Sequence, residues 1–244
     1  MKRYITSLAV IIPCFNEAKR IGATLRAVNA YVQNCARNWE IIIVNDGSSD
    51  DTVGVVRRWA RTNHTRHIKI LSLPRNIGKG GAIKKGVIST KKQWILIMDA
   101  DSATPISEVR RLWSGKGDAE VIYGSRYLDQ SLLQIKQPLP RRILGRAGNL
   151  LARVVLRIKL VDTQCGFKLI SQKAARQIFS KTQTQRWGWD LEVLAIATNY
   201  KIKIREVAVV WRHIGGSTFR AGRGMWQTLI ELFAIRRNLK KGQY

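Results

Sequence analysis

Two aspartates separated by one residue, Asp99 and Asp101, are the sharpest chemical feature of this sequence. They follow residues 94–98, an apolar run typical of a buried strand. Carboxylates two residues apart at the end of a strand face the same side, and their repulsion is costly unless a cation lies beside them. Carboxylate oxygens suit Mg²⁺ or Mn²⁺, which complete their shells with water and substrate phosphate. The pair therefore predicts a metal-bound diphosphate.

Polar residues also follow two other predicted strands, at 13–17 and 45–50. In open α/β sheets, ligands bind outside the carboxyl ends of the strands, so the three polar clusters are expected at one site. Each cluster alone is compatible with turn or helix-cap chemistry. Three acidic clusters at one sheet edge, in a chain with only 16 acidic residues, favour function instead.

A glycine-rich turn at 76–81 adds a further feature, and it has two readings. Its backbone N–H groups are placed to meet an anion at a helix N-terminus. Alternatively, its glycines allow a helix and a strand to pack closely. The turn lacks the Gly-Lys-Ser/Thr spacing of a Walker A loop, so phosphoryl transfer from ATP by that route is not supported.

Short apolar runs alternate with helical patterns over the first hundred residues, which predicts the doubly wound half of an α/β fold with a mostly parallel sheet and helices on both faces. Residues 119–123 and 204–211 are predicted as further strands, the latter near an edge or antiparallel. The predicted strands of the first half are 8–13, 40–44, 68–73 and 94–98, and its predicted helices are 17–31, 52–61 and 81–90.

The composition limits the partners and the compartment. The 244 residues are 45% hydrophobic and carry a net charge of +27, which indicates a polyanion, an anionic membrane surface or phosphorylated substrates. Three widely spaced cysteines without a CxxC motif disfavour a disulfide framework and a structural zinc site and favour a reducing cytosolic compartment. No apolar run approaches about 18 residues, so no transmembrane helix is predicted.

Two stretches, 142–159 and 225–241, are predicted as basic amphipathic helices. Such helices lie in an anionic membrane interface or, alternatively, pack on the sheet as ordinary surface helices with basic residues near their C-termini. The predicted organisation is a catalytic domain at 1–220, with an insertion at 128–160 that faces acceptor or membrane, followed by a C-terminal basic amphipathic helix at 221–244.

The motifs of this chain resemble those of family 2 glycosyltransferases, both in their residues and in their order along the chain. That family has a GT-A fold, which is built on a Rossmann-like sheet. Three later strings narrow the resemblance to the group of dolichyl-phosphate β-glucosyltransferases and dolichyl-phosphate mannose synthases, over residues 8 to about 219. The DTQCGFK string is the most specific part. The matching segments are Pro13…Glu17, 44–48, 76–81, 99–101, 124–126, 162–168 (DTQCGFK), 186–192 and 206–211.

The resemblance implies a donor site. It assigns Pro13, Phe15 and Glu17 to the nucleotide base, and Val44 and Asp46 to the base and ribose. It assigns Asp99, Ala100 and Asp101 to the nucleotide sugar and the metal, with Asp101 as the favoured direct ligand. Arg126 matches an arginine near the diphosphate and sugar, and Arg212 one that closes over the donor phosphates.

Two acidic residues and three departures from the family pattern complete the expectations. Asp190 and Glu192 are candidates for a base or for orienting the acceptor; the alternative is that they cap and orient neighbours at the start of a helix. Asn45 stands where the family usually has Asp, and Gly145 where the mannose synthases have a serine. Thr218 replaces a donor-contacting lysine, with Arg220 as its possible substitute.

The activity implied is an inverting, metal-dependent transfer of one hexose to a polyprenyl phosphate by a peripheral enzyme on the cytosolic membrane face. UDP-glucose is the favoured donor, with GDP-mannose and UDP-N-acetylglucosamine as alternatives. A second reading is a soluble transferase acting on a glycan or protein hydroxyl, which requires a carboxylate base. A nucleic-acid-binding module is disfavoured because the basic residues are dispersed and no recognition motif is present.

Overall fold

The computed structural model describes residues 5–135, 139–214 and 221–244. Within them, seven strands form one sheet in the order β3-β2-β1-β4-β7-β5-β8, and β6 pairs with β9 apart from it. The strands are β1 Ile5–Cys14, β2 Ala36–Asn45, β3 Ile68–Ser72, β4 Trp94–Ile97, β5 Val121–Ser125, β6 Leu133–Ile135, β7 Lys168–Ser171, β8 Ile204–Ala208 and β9 Trp211–Arg212. The helices are α1 Ile21–Cys35, α2 Thr52–Thr62, α3 Lys79–Ile88, α4 Val109–Gly115, α5 Leu139–Leu156, α6 Gln172–Lys181, α7 Trp189–Asn199 and α8 Ala221–Lys240.

The sheet is mostly parallel, as predicted. Strand β1 pairs in parallel with β2 and β4, and β2 with β3. The exception is β7, which runs antiparallel between β4 and β5. The predicted strand 204–211 divides in two, because β8 joins the edge of the large sheet while β9 pairs with β6. Between them, the N–H of Val210 donates to Glu108 Oε2 at 3.0 Å.

Apolar side chains cover both faces of the sheet, which confirms the predicted layers. Along β1, Ala9 and Ile11 face the cluster formed with α3, α6 and α7. The alternate residues Leu8, Val10 and Ile12 face the cluster formed with α1, α2 and α4. Each fully buried aliphatic side chain of this kind contributes about 1.5–3 kcal/mol. The carboxyl ends of β1, β2 and β4 are thereby held side by side.

The two basic amphipathic helices pack against each other and against the core. Helix α8 buries Leu232 and Ile235 in the cluster that contains α7. Both helices also expose apolar side chains. Among the described residues, every helix is too short or too polar to cross a bilayer. The exposed set is Ile143, Leu144, Leu150, Leu151 and Val154 on α5, and Trp226, Ile230 and Phe233 on α8.

Candidate active site

A cavity of about 300 Å³ opens at the carboxyl ends of β1, β2 and β4. The three polar clusters meet there, as their positions after the strands predicted. Seven of the predicted donor-site residues line it: Pro13, Phe15, Glu17, Asp46, Asp99, Ala100 and Asp101. The remaining lining residues are Cys14, Arg20, Asn76, Gly78, Lys79, Ala82, Arg186 and Trp187.

The loops after β1 and β2 are tied together by their polar side chains. Asn16, whose φ is +57°, accepts a hydrogen bond from the N–H of Ser49 at 2.9 Å. Asp50 accepts from the N–H of Ala18 at 3.0 Å, and the N–H of Glu17 donates to Thr52 Oγ1 at 2.9 Å. These bonds explain the polar composition of the loops. Helix α1 begins at Ile21, after this loop and four residues later than predicted.

Asp46 connects the β2 loop to the glycine-rich turn. Its two carboxylate oxygens accept from the N–H groups of Ile77 at 2.8 Å and Gly78 at 2.9 Å. Burial raises the pKa of Asp46, and these two bonds oppose that rise. The carboxylate thus lines the cavity while fixing the start of α3.

Two further amides of the glycine-rich turn are also bonded to protein. Gly80 and Gly81 donate to the carbonyls of Arg186 and Gln185, at 3.2 and 2.8 Å. A Cβ at Gly80 would lie 2.7 Å from the Cβ of Trp189, so no side chain fits there. The glycines thus allow close packing, but against the 184–189 segment rather than against a strand, and the anion-binding reading of the turn stays a prediction.

Lys79 is the cation beside the aspartate pair. Its Nζ lies 2.6 Å from Asp99 Oδ1, while Asp101 Oδ1 accepts from the N–H of Ala103 at 3.0 Å. Burial lowers the pKa of Lys79, but Asp99 and its acidic neighbours outweigh this and raise it. Burial, and next the charge of Asp99, raise the pKa of Asp101. The repulsion expected from the sequence is therefore present and only partly relieved.

The aspartate pair fits a divalent ion held largely by its substrate. Among residues 5–135, 139–214 and 221–244, no group of three or more His, Cys, Asp or Glu side chains could hold a metal. The protein would therefore supply Asp99 and Asp101, leaving the other positions to diphosphate and water, as Mg²⁺ and Mn²⁺ accept. Gly166 packs on Asp99, and any Cβ there would collide with its carboxylate.

Sequence reasoning missed three cations at the cavity: Arg20, the Lys79 side chain and Arg186. Arg20 forms a two-bond ion pair with Glu17, with N···O distances of 2.7 and 2.9 Å. Burial raises the pKa of Glu17, and Arg20 opposes the rise. The sequence indicated these cations in two ways only. Arg20 lies one helical turn after Glu17, and Lys79 and Arg186 lie within the matching segments 76–81 and 186–192. These cations suit a diphosphate.

Three predicted donor residues do not line the cavity. Val44 is fully buried in the core beneath α3. Arg126 donates to both oxygens of buried Asp162, at 2.7 and 2.8 Å, and its guanidinium carbon lies 5.8 Å from the Trp211 ring centroid. Arg212 is exposed on β9, where its N–H donates to the carbonyl of Ala103 at 3.0 Å. The assignment of these three to the donor stays a prediction.

Asp190 lies behind the cavity rather than in its lining. It forms an ion pair with Lys168, which is 0% exposed. The Lys168 Nζ lies 4.3 Å from the centroid of the Trp189 ring and 4.8 Å from that of Tyr123. Burial raises the pKa of Asp190, and Lys168 opposes the rise. This arrangement favours an orienting role over that of a base.

Glu192 is also remote from the cavity and fully buried. Its carboxylate accepts from the N–H groups of Gln183 at 3.0 Å and Thr184 at 2.8 Å, and from the hydroxyl of Tyr244 at 2.8 Å. A carboxylate engaged in this way is not placed to take a proton from a substrate. The structure thus supports the alternative that it orients its neighbours.

The departures from the family pattern have different environments. Asn45 serves the turn after β2, because its Oδ1 accepts from the N–H of Ser48 at 3.1 Å. Gly145 lies on α5 with open space where a Cβ would stand. Thr218 and Arg220 lie outside the described residues.

Comparisons with known proteins identify the family of this chain. A dolichyl-phosphate β-glucosyltransferase of Trichomonas vaginalis is 35% identical over 240 residues, covering 93% of this chain and 72% of the relative. The human dolichyl-phosphate β-glucosyltransferase is 34% identical, covering 86% and 68%. The fold resembles glucosyl-3-phosphoglycerate synthase from Mycobacterium tuberculosis, solved with Mn²⁺, uridine diphosphate and phosphoglyceric acid. The two structures align with a TM-score of 0.72 at 16% sequence identity, and the alignment covers 95% of this chain and 78% of the synthase chain. Residues 9–179 match the model of glycosyl transferase family 2, so the chain belongs to that family and is a glycosyltransferase with a GT-A fold.

Proposed function

We propose that this enzyme transfers glucose from UDP-glucose to dolichyl phosphate or a related polyprenyl phosphate, with inversion and with Mg²⁺ or Mn²⁺. The observation that carries the proposal is the cavity itself, where Asp99 and Asp101 meet the 13–17 segment at the strand ends. The relatives named for glucose transfer to dolichyl phosphate support the choice of sugar and acceptor. The structural neighbour that holds Mn²⁺ and uridine diphosphate supports the choice of donor nucleotide.

The lining suggests how the donor lies. The nucleoside end belongs near Phe15, Glu17 and Asp46, and the diphosphate end near Lys79 and the aspartate pair. A divalent ion, when bound, would stabilise the negative charge of the diphosphate. Lys79 and Arg186 add fixed positive charge at the same place, which is where charge grows as the diphosphate leaves.

The reaction forms a bond between an oxygen of the acceptor phosphate and the anomeric carbon. The bond from that carbon to the UDP oxygen breaks, and its electron pair leaves with UDP. A phosphate monoester has a second pKa of about 6, so the acceptor is already ionised at neutral pH and requires no base. This agrees with the pairing of Asp190 to Lys168 and the burial of Glu192.

We also propose that the exposed faces of α5 and α8 contact an anionic membrane. Val154 and Trp226 are each 67% exposed, and Phe233 is 57% exposed. Exposed basic residues, including Arg146 and Arg237, lie on the same two helices. An apolar surface flanked by cations is suited to the interface of an anionic bilayer.

Cosedimentation with vesicles tests this surface. We expect binding to phosphatidylglycerol-containing vesicles that weakens with salt, and a several-fold loss for Val154→Ser combined with Phe233→Ser. Ile88→Ser on α3 is the matched control, because Ile88 is 59% exposed on a different helix. Equal binding by the wild type and the double variant would contradict the membrane contact.

Radiolabelled transfer tests the activity. Purified enzyme with Mg²⁺ would receive UDP-glucose, GDP-mannose or UDP-N-acetylglucosamine, each with polyprenyl phosphate, a soluble glycan or a peptide. We expect labelled, organic-extractable lipid from UDP-glucose only. Label on soluble acceptors alone would establish the soluble-transferase alternative, and lipid product from GDP-mannose alone would change the donor.

A further inference from the structure

The segment 183–188 carries Arg186 and Trp187 into the cavity, and it is held from both sides. On the cavity side it meets the glycine-rich turn, where Gly80 and Gly81 donate to its carbonyls. A Cβ at Gly78 would lie 2.6 Å from the carbonyl oxygen of Gln185, so the two backbones are in direct contact. Displacement of the segment would therefore also disturb the turn that carries Lys79.

On its other side the segment is bonded to α8 and the residues after it. Glu231 Oε2 accepts from the N–H of Gly188 at 2.6 Å. Asn238 Nδ2 donates to Gln183 Oε1 at 3.2 Å. Tyr244 donates to Glu192 at 2.8 Å, and Glu192 in turn accepts from the N–H groups at the start of the segment.

A groove of about 460 Å³ lies between the segment and α8, and the apolar residues Ala234 and Ile235 line it together with polar side chains. Gln183, Gln185, Gln227 and Asn238 line it, and Arg186 lines both this groove and the donor cavity. Among the bonds between the segment and α8, the one to the Glu231 carboxylate is charge-assisted and therefore stronger than a bond between neutral groups.

We infer that Glu231 and Tyr244 are positioning residues for donor binding. They act through the 183–188 segment on Arg186 and Trp187, so the C-terminal helix is part of the donor site as well as of the surface. The inference rests on the proposed function only in taking the cavity as the nucleotide site. It assigns to α8 a role that its amphipathic pattern did not indicate.

Calorimetric titration with UDP and Mn²⁺, without acceptor, tests the inference. We expect Glu231→Ala to weaken UDP binding by about five- to tenfold, less than the full effect of one hydrogen bond to a charged group because Glu231 acts on the donor through the segment. Glu231→Gln keeps an acceptor oxygen and should restore most of the affinity. In transfer assays, the KM for UDP-glucose should rise with Glu231→Ala while kcat changes less, because the reacting groups are untouched.

Two further variants keep the test decisive. Tyr244→Phe removes only the hydroxyl that Glu192 accepts, and should weaken UDP binding even if Glu231→Ala does not fold. Gln227→Ala is the matched control, since Gln227 lies one turn before Glu231 and forms no hydrogen bond to the described 183–188 segment. Wild-type affinity in both Glu231→Ala and Tyr244→Phe, or an equal loss in Gln227→Ala, would overturn the inference. Failure of the wild type to bind UDP would instead overturn the proposed function and the inference with it.

Discussion

Asp101→Asn is expected to reduce glucosyl transfer by at least about 10²–10³-fold, the range for removing one group that stabilises charge in the transition state. Asparagine keeps the size of the side chain and an oxygen that can accept from the N–H of Ala103. It removes the negative charge that would bind the divalent ion. The loss should therefore appear as lost metal and donor binding rather than as misfolding.

The same substitution is expected to stabilise the ligand-free protein. Burial and Asp99 raise the pKa of Asp101. An acid with a raised pKa in the folded state binds more protons there than in the unfolded chain, so stability falls as pH rises through that interval and stays reduced at neutral pH. Asparagine removes this penalty. For a chain of this size, each 1 kcal/mol gained raises the melting temperature by about 2–4 °C.

Thermal melts of metal-free protein at pH 7, with transfer assays on the same samples, measure both effects. Asp118→Asn is the control, because Lys203 lowers the pKa of this exposed carboxylate and the substitution should therefore not stabilise the protein. A melting temperature for Asp101→Asn at or below that of the wild type would contradict the electrostatic account. Undiminished transfer would contradict the metal role.

Lys168→Met is expected to lower the free energy of unfolding by about 3–5 kcal/mol, the usual result of removing one partner of a buried ion pair. Lys168 is completely buried between Tyr123 and Trp189 and bonds to both Asp190 and the carbonyl of Cys165. Methionine fills similar volume but leaves the Asp190 carboxylate without its counter-charge. Denaturant unfolding at neutral pH measures the loss.

The double variant Lys168→Met with Asp190→Leu should recover much of that stability, since well-packed apolar residues often replace a buried ion pair at little cost. It also tests the role of Asp190. A general base contributes about 10²–10⁴-fold to rate, so a transfer loss below about 100-fold would agree with a reaction that requires no base. A well-folded but inactive double variant would restore Asp190 as the candidate base.

The part of the fold that the sequence predicts well is the half built from long apolar strands. Strands β1, β2 and β4 are buried on both faces, so apolar runs mark them and the polar residues after them mark the site. Strand β7 was not predicted, because one of its four residues is the charged Lys168. The partner of that charge is Asp190, which lies 22 residues away in the sequence. A local pattern contains no sign of such a partner.

The same reasoning explains the incomplete prediction of the site. Residues that follow strands directly, such as Asp46 and Asp101, line the cavity as expected. Arg186 reaches it because a distant segment folds against the glycine-rich turn, and Glu231 supports that segment from the far side. Glu192 was a candidate base because the sequence shows an acidic residue at this position. Its bonds to Gln183 and Thr184 depend on tertiary structure, which the sequence does not show directly.

The cavity at the ends of β1, β2 and β4 is expected to bind a nucleoside diphosphate together with a divalent ion. Isothermal titration of the wild type with UDP-glucose, with and without Mn²⁺, tests it most directly. We expect saturable binding that requires Mn²⁺ and is lost in Asp101→Asn. No measurable affinity in either condition, or equal affinity with the metal removed, would contradict it.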